Sequence, residues 1–162
     1  MVSNPMSMDV QDFDGLSKLF ENHNITTVYH LASILSTKGE HNPVMAHSIN
    51  VNGTMNLLDL SVKQMERTGR AVKFIYPSSI AVHAIPNLEI KAKAGKVKEN
   101  DYVQSTTMYG INKLYCENLG RYFNSHYKQL SYAPAERPYV DFRAVRFPGL
   151  ISADTIPTGG TS

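Results

Sequence analysis

Residues 71–79 read AVKFIYPSS, an apolar run of strand length that closes on two serines. Such a run is expected of a strand buried inside a parallel sheet. Upstream, residues 42–67 read as a long helical segment with Met45, Ile49, Met55, Leu58 and Val62 among its apolar positions. Downstream, residues 106–127 place Met108, Ile111, Tyr115, Leu119 and Tyr122 at helical spacing. Further out, ITTVYHLA at 25–32 and YVDFRAVRF at 139–147 read as two more strands. DFDGLSKLFENH at 12–23 reads as a short amphipathic helix with Phe13, Leu16, Leu19 and Phe20 on one face. Helix and strand alternate, which predicts an α/β fold with a parallel sheet. Residues 83–104 are predicted irregular, and their lysines (Lys91, Lys93, Lys96, Lys98) read as a solvated surface insertion rather than an interaction patch. A loop with Pro134 and Pro138 precedes the third strand, and PGLISADTIPTGGTS at 148–162 is loop-like. There is no internal repeat.

The chain has 162 residues, the usual size of one domain and enough to bury a core. Its net charge of +2 is too weak to argue for nucleic acid or a membrane surface as a partner. No apolar run approaches the roughly 18 residues a spanning helix needs. MVSNPMSMDV, at the start, has no basic region followed by an apolar stretch, so it does not read as a secretory signal. With one cysteine, Cys116, no intrachain disulfide is possible. A cytoplasmic location is expected, or a mitochondrial one if a transit segment has been removed. His41 and His47 are six apart, which does not put both on one helix face, and no metal site is expected.

Three motifs carry chemistry. Tyr109 and Lys113, in YGINK, are four apart and project from one helix face. A free phenol has a pKa of about 10, and a nearby ammonium is expected to lower it so that the tyrosine exchanges a proton with a substrate hydroxyl. The same spacing also arises as a solvated pair on an exposed helix. Ser78 and Ser79 close the strand VKFIYPSS, and the crevice of an open parallel sheet lies at the carboxyl ends of its strands. A serine there either bonds a substrate oxygen or caps a turn. In NVNGT at 50–54, Gly53 costs about 1 kcal/mol within a helix, so it serves close packing on a neighbour or a cofactor, or is a tolerated helix glycine.

HLAS at 30–33, INVNGTMNLLDL at 49–60, FIYPSSIAV at 74–82, YGINK at 109–113 and VRFPGLIS at 145–152 occur in an order and spacing that resemble the extended short-chain dehydrogenase/reductases. That group includes nucleotide-sugar epimerases and dehydratases. LASILSTKGE at 31–40, YPSSIAV at 76–82, STTMYGINK at 105–113 and the closing PGLISADTIPTGGTS look most like its short-chain L-threonine 3-dehydrogenase branch. The resemblance implies NAD as cofactor and a small-molecule substrate. It makes Tyr109 the general acid/base, Lys113 its partner and a ligand of the nicotinamide ribose, and Ser79 the catalytic serine. It places Leu31, Ala32 and Ser33 along the pyrophosphate and ribose, Asp9 and Val10 at the adenine, and Leu150 beside the nicotinamide. Ser36 falls where this branch meets its amino-acid substrate, with Ser79 and Tyr109. Asn50 belongs with the cofactor-binding set, as support for the site.

A dinucleotide-binding fold opens with a strand, a glycine-rich turn and a helix, a unit of about 30 residues. None of the ten glycines forms that turn after a strand. The expectation is one partial Rossmann-like NAD-binding domain over residues 1–162. It would lack the first βαβ unit and the C-terminal substrate lobe, as a truncated chain, a split gene product or a degraded member. The exposed sheet edge could then take a partner segment or a second copy, making a homodimer. Alone, such a chain is expected to bind NAD weakly or not at all. Ser79 and Tyr109 lie 30 positions apart, so residues 84–100 look like an insertion; residues 128–138 also look longer than usual. Three functions stay open: oxidation of L-threonine or a similar β-hydroxy amino acid, nucleotide-sugar epimerisation or dehydration, and an inactive interaction module.

Overall fold

A computed structural model of the chain describes residues 6–149. Strands β1 (Thr27–Tyr29), β2 (Lys73–Ser79) and β3 (Asp141–Phe147) form one parallel sheet in that order. Helices α1 (Phe13–Asn22), α2 (Ser36–His41), α3 (Pro43–His47), α4 (Gly53–Thr68), α5 (Leu88–Ala94) and α6 (Met108–Ser125) complete the described chain. A π-helical turn at Ser48–Asn52 joins α3 to α4, and a 3-10 turn at Ile80–Val82 follows β2.

The central strand explains the layering. Side chains alternate along β2, so Phe74, Tyr76 and Ser78 are buried while Ile75, Pro77 and Ser79 are only half-buried on the opposite face. In register, Phe74 lies between Val28 and Phe142, and Ser79 lies beside Phe147. The Phe142 ring stacks on Phe74 and Tyr76, with centroids 5.6 and 5.7 Å apart. Leu58, Val62, Cys116 and Phe123, from α4 and α6, join the same core. Among the described residues the other face stays open, with Tyr29 69% and Val145 51% exposed.

Local chemistry sets the element ends. Asp12 caps α1 by accepting from the Gly15 amide at 3.0 Å, and Leu16 and Phe20 turn inward. Asn42 caps α3, accepting from the Met45 amide at 3.1 Å, with Pro43 pre-set for the first turn. Gly69, at φ 71°, ends α4 in the left-handed region. The helix expected at 42–67 is therefore interrupted: its middle widens into the π turn, and the unforeseen α2 precedes it. The strand expected at 25–32 is shorter, because after the His30 amide bonds the Ile75 carbonyl at 3.1 Å, Leu31 turns back onto Tyr29. The segment expected to be irregular at 83–104 holds α5, capped by Asn87 and tied by an exposed Lys93–Glu89 pair; it buries no residue.

Gly120 lets α6 lie close against the sheet. A β-carbon there would sit inside contact distance of the Phe142 ring. Gly120→Ala is expected to destabilise the fold by about 1–3 kcal/mol, as overpacking does. An unchanged urea midpoint would mean that α6 can shift without cost.

Candidate active site

The carboxyl ends of the three strands open into a cleft of about 710 Å³. His30 and Leu31 leave β1, Pro77 to Ala81 leave β2, and Phe147 to Gly149 leave β3 along its walls. Tyr109 and Lys113 reach in from α6, and Ser33, Leu35 and Ser36 close one side.

Helix α6 starts at two caps. Thr107 accepts from the Gly110 amide at 3.1 Å, and Glu40 accepts from the Met108 amide at 2.6 Å. Glu40 belongs to the LSTKGE segment, so that motif fixes the start of the helix carrying Tyr109. Gly110 lets this start press on the chain after β2, since a β-carbon would strike the Ala81 carbonyl and the Ser105 hydroxyl.

The Ser79 hydroxyl accepts from the Ala81 amide at 3.1 Å and shares the cleft lining with the Tyr109 phenol. Burial raises the phenol above its ordinary value, and the Ser79 hydroxyl works against that rise. The expected lowering of Tyr109 by Lys113 is not found. The ammonium is aimed elsewhere: it donates to the Pro77 carbonyl at 2.7 Å and sits 4.6 Å over the Tyr76 ring, against 5.5 Å from the Tyr109 ring. Burial lowers Lys113 itself to about 8, which leaves it protonated at neutral pH. Tyr109 is thus a protonated phenol beside a hydroxyl and an ammonium, suited to giving a proton to a carbonyl or, once ionised, taking one from an alcohol.

His30 forms part of the cleft wall beneath this group. The Thr54 hydroxyl donates to the Asn50 carbonyl at 2.5 Å, so the His30 Nε2 at 2.9 Å must be the donor to Thr54. Burial, aided by the Lys113 charge, pushes His30 down to about 4. A folded-state pKa below the ordinary 6.5 stabilises the native chain above pH 6.5, and this contribution is lost as pH falls toward 4. A loss on the order of 2–3 kcal/mol is expected across that window, and His30→Gln should flatten it in denaturant titrations.

The other candidates are distributed unevenly. Leu31, Ser33 and Ser36 line the cleft, whereas Ala32 is exposed and outside the lining. Asn50 lies below the cleft, fully engaged: it accepts from the Ile34 amide at 2.7 Å and the Ser33 hydroxyl at 3.1 Å, and donates to the Ile34 carbonyl and to Asn112. It acts as a clasp on the 33–34 loop, not as a lining group. Asp9 is exposed and bonded to the Gln11 amide, and Val10 packs on Gly53, so neither reaches the lining. Gly53 thereby serves close packing. Leu150 lies outside the described residues. His30, Glu40, Ile80, Ala81 and Phe147 were not singled out in the sequence. Glu117 was also missed, although it extends the Tyr109–Lys113 spacing by one more turn on the same face of α6.

The donor set fits one end of a dinucleotide better than the whole. Two hydroxyls and an ammonium converge where a ribose and a reacting hydroxyl could lie, and Leu31 and Leu35 offer apolar wall. Among the described residues, no group of three or more His, Cys, Asp or Glu could hold a metal, and no helix is long and apolar enough to cross a membrane.

A parallel sheet with helices packed against it, and with Ser, Tyr and Lys at its carboxyl end, is a partial Rossmann-like fold. The chain belongs to the NAD dependent epimerase/dehydratase family, whose profile matches residues 3–136. It is 29% identical over 161 residues to the mitochondrial L-threonine 3-dehydrogenase of Bos taurus, covering 95% of this chain and 35% of that protein. It is 34% identical over 157 residues to an uncharacterised epimerase/dehydratase of Staphylococcus haemolyticus, covering 96% and 42%. Among solved structures, the L-threonine 3-dehydrogenase of Trypanosoma brucei superimposes with a TM-score of 0.72 at 36% identity, over 96% of this chain and 41% of that one. A nucleoside-diphosphate-sugar epimerase of Agrobacterium tumefaciens, at 24% identity and a TM-score of 0.74, shares the fold. The chain therefore spans well under half the length of these relatives.

Proposed function

We propose that this chain carries the proton-handling half of an NAD-dependent dehydrogenase acting on L-threonine or a similar β-hydroxy amino acid. The observation that supports it is the convergence of Ser79, Tyr109 and Lys113 on one cleft at the strand ends. Similarity to L-threonine 3-dehydrogenases favours this substrate class over a nucleotide sugar. NAD, when bound, would accept the hydride from the carbon bearing the hydroxyl. Ser79 would hold the substrate oxygen, and Tyr109 would take the hydroxyl proton, leaving a 2-amino-3-keto acid. Lys113, kept protonated at neutral pH, would bond the ribose. Leu31 and Ser33 would line the cofactor and Ser36 the amino acid.

Nucleotide-sugar epimerisation uses the same three groups and differs in returning the hydride. The test is NADH formation at 340 nm by the full-length protein with L-threonine, beside UDP-glucose conversion followed by chromatography. Threonine-dependent NADH is the expected result. Sugar conversion without net NADH would transfer the site to the epimerase reading, and silence in both would favour an inactive module.

A further inference from the structure

Behind the strand end lies an ion pair that the proton chemistry does not use. The Glu117 carboxylate accepts from the Ser78 hydroxyl at 2.5 Å and from Arg146 Nε at 2.9 Å, and its second oxygen accepts from Arg146 Nη2 at 2.7 Å. Both side chains are largely buried, 8% and 16% exposed. Arg146 also donates to the Glu99 carbonyl at 2.5 Å and approaches His83 Nε2 at 3.3 Å, while His83 Nδ1 faces the Asp101 carbonyl at 2.7 Å. One carboxylate thus joins α6, β2 and β3, and its partner holds the 83–101 segment.

Packing alone does not require this arrangement, since apolar residues of similar volume often stabilise as well as a buried pair. What the pair adds is direction. Ser78 and Ser79 are adjacent on β2 and face opposite sides, so fixing the Ser78 side chain fixes the turn of the strand that aims Ser79. On α6, Tyr109, Lys113 and Glu117 follow one another at single-turn spacing, so the grip on Ser78 also sets the distance between helix and strand.

We propose that Glu117 and Arg146 are positioning residues: by gripping Ser78 from behind, they keep the Ser79 hydroxyl turned into the cleft that Tyr109 lines. This rests on the reading of Ser79 and Tyr109 as the proton-handling pair. Losing the grip lets the Ser79 hydroxyl draw away from the phenol, whose ionisation it favours, and so moves Tyr109 ionisation upward. Lys113 on α6 and Tyr76 on β2 are the other titratable groups facing the phenol.

The test uses the full-length protein carrying 3-fluorotyrosine, with the position-109 fluorine signal assigned from Tyr109→Phe and followed against pH. Ser79→Ala gives the reference for complete loss of that hydroxyl. Glu117→Gln removes the charge, and Ser78→Ala removes one hydroxyl and serves if the first variant does not fold. The expected result is an upward move of Tyr109 ionisation in both, toward the Ser79→Ala value, with kcat down about tenfold and KM for NAD unchanged. Wild-type ionisation of Tyr109 in folded Ser78→Ala would overturn the proposal and leave the pair a stability element. If the unsubstituted protein oxidises no β-hydroxy amino acid, the dehydrogenase reading fails, and the fluorine titration still decides the positioning role.

Discussion

Tyr109→Phe is expected to lower kcat for NAD-linked oxidation about 10²–10⁴-fold, the usual worth of a positioned acid or base. At about 1.4 kcal/mol per tenfold, that is about 3–6 kcal/mol of barrier. The ring stays in place, so its packing is kept and only one half-buried hydroxyl is lost, a change of about 1 kcal/mol in stability. The variant should therefore remain folded and inactive. The pH profile adds a second check. Because burial raises the phenol, the wild-type oxidation rate should climb with pH as Tyr109 ionises, and the variant should lose that climb. A variant that keeps a tenth or more of the wild-type kcat would mean that another group handles the proton.

Arg146→Met is expected to cost about 3–5 kcal/mol at neutral pH, because it leaves the Glu117 carboxylate buried without its bidentate partner. Burial alone would raise the Glu117 carboxyl. The Arg146 and Ser78 hydrogen bonds outweigh it and hold the group below the usual carboxylate range, with Arg146 and Arg121 charges assisting. A lowered folded-state pKa stabilises the native chain above the ordinary value of 4.5, and that stabilisation is lost as pH falls through the lowered value. In the variant burial loses its strongest opponent, so Glu117 takes up a proton more readily. The stability gap between the two proteins should narrow on acidification, as urea unfolding at pH 7 and pH 4.5 can measure. Pairing Arg146→Met with Glu117→Leu should recover much of the loss. A gap below 1 kcal/mol, or one indifferent to pH, would contradict this account.

What the sequence reveals depends on how local the cause is. The runs around Phe74 and Phe142 and the inward pair Leu16 and Phe20 are legible because apolar periodicity states which face is buried. The placement of Tyr109 and Lys113 on one face is equally local, a matter of helix pitch. The interruption of the 42–67 helix is not, because the π turn belongs with tertiary partners: the Asn50 carbonyl receives the Cys116 thiol, and the Asn50 amide clasps residue 34. The environment of Lys113 is non-local for the same reason. Spacing brings it toward Tyr109, but the Pro77 carbonyl and the Tyr76 ring, 36 and 37 residues away in the chain, decide where the ammonium points. Glu117 and Arg146 are 29 positions apart and become partners only when β3 lies beside β2.

The neighbouring serines of β2 divide two tasks between two sides of one strand. A strand repeats every two residues, so such a division is a matter of parity. Inserting a single residue between Phe74 and Ser78 would exchange the two: the hydroxyl now in the cleft would turn into the helix layer beside Glu117, and its neighbour would turn out toward Tyr109. Two serines in succession soften that error, because whichever comes to face the phenol still brings a hydroxyl. Insertions and deletions in the connections on either side, such as the long 83–104 segment, leave the parity of the strand untouched. Length variation is therefore tolerable in those connections and hazardous within the seven residues of β2.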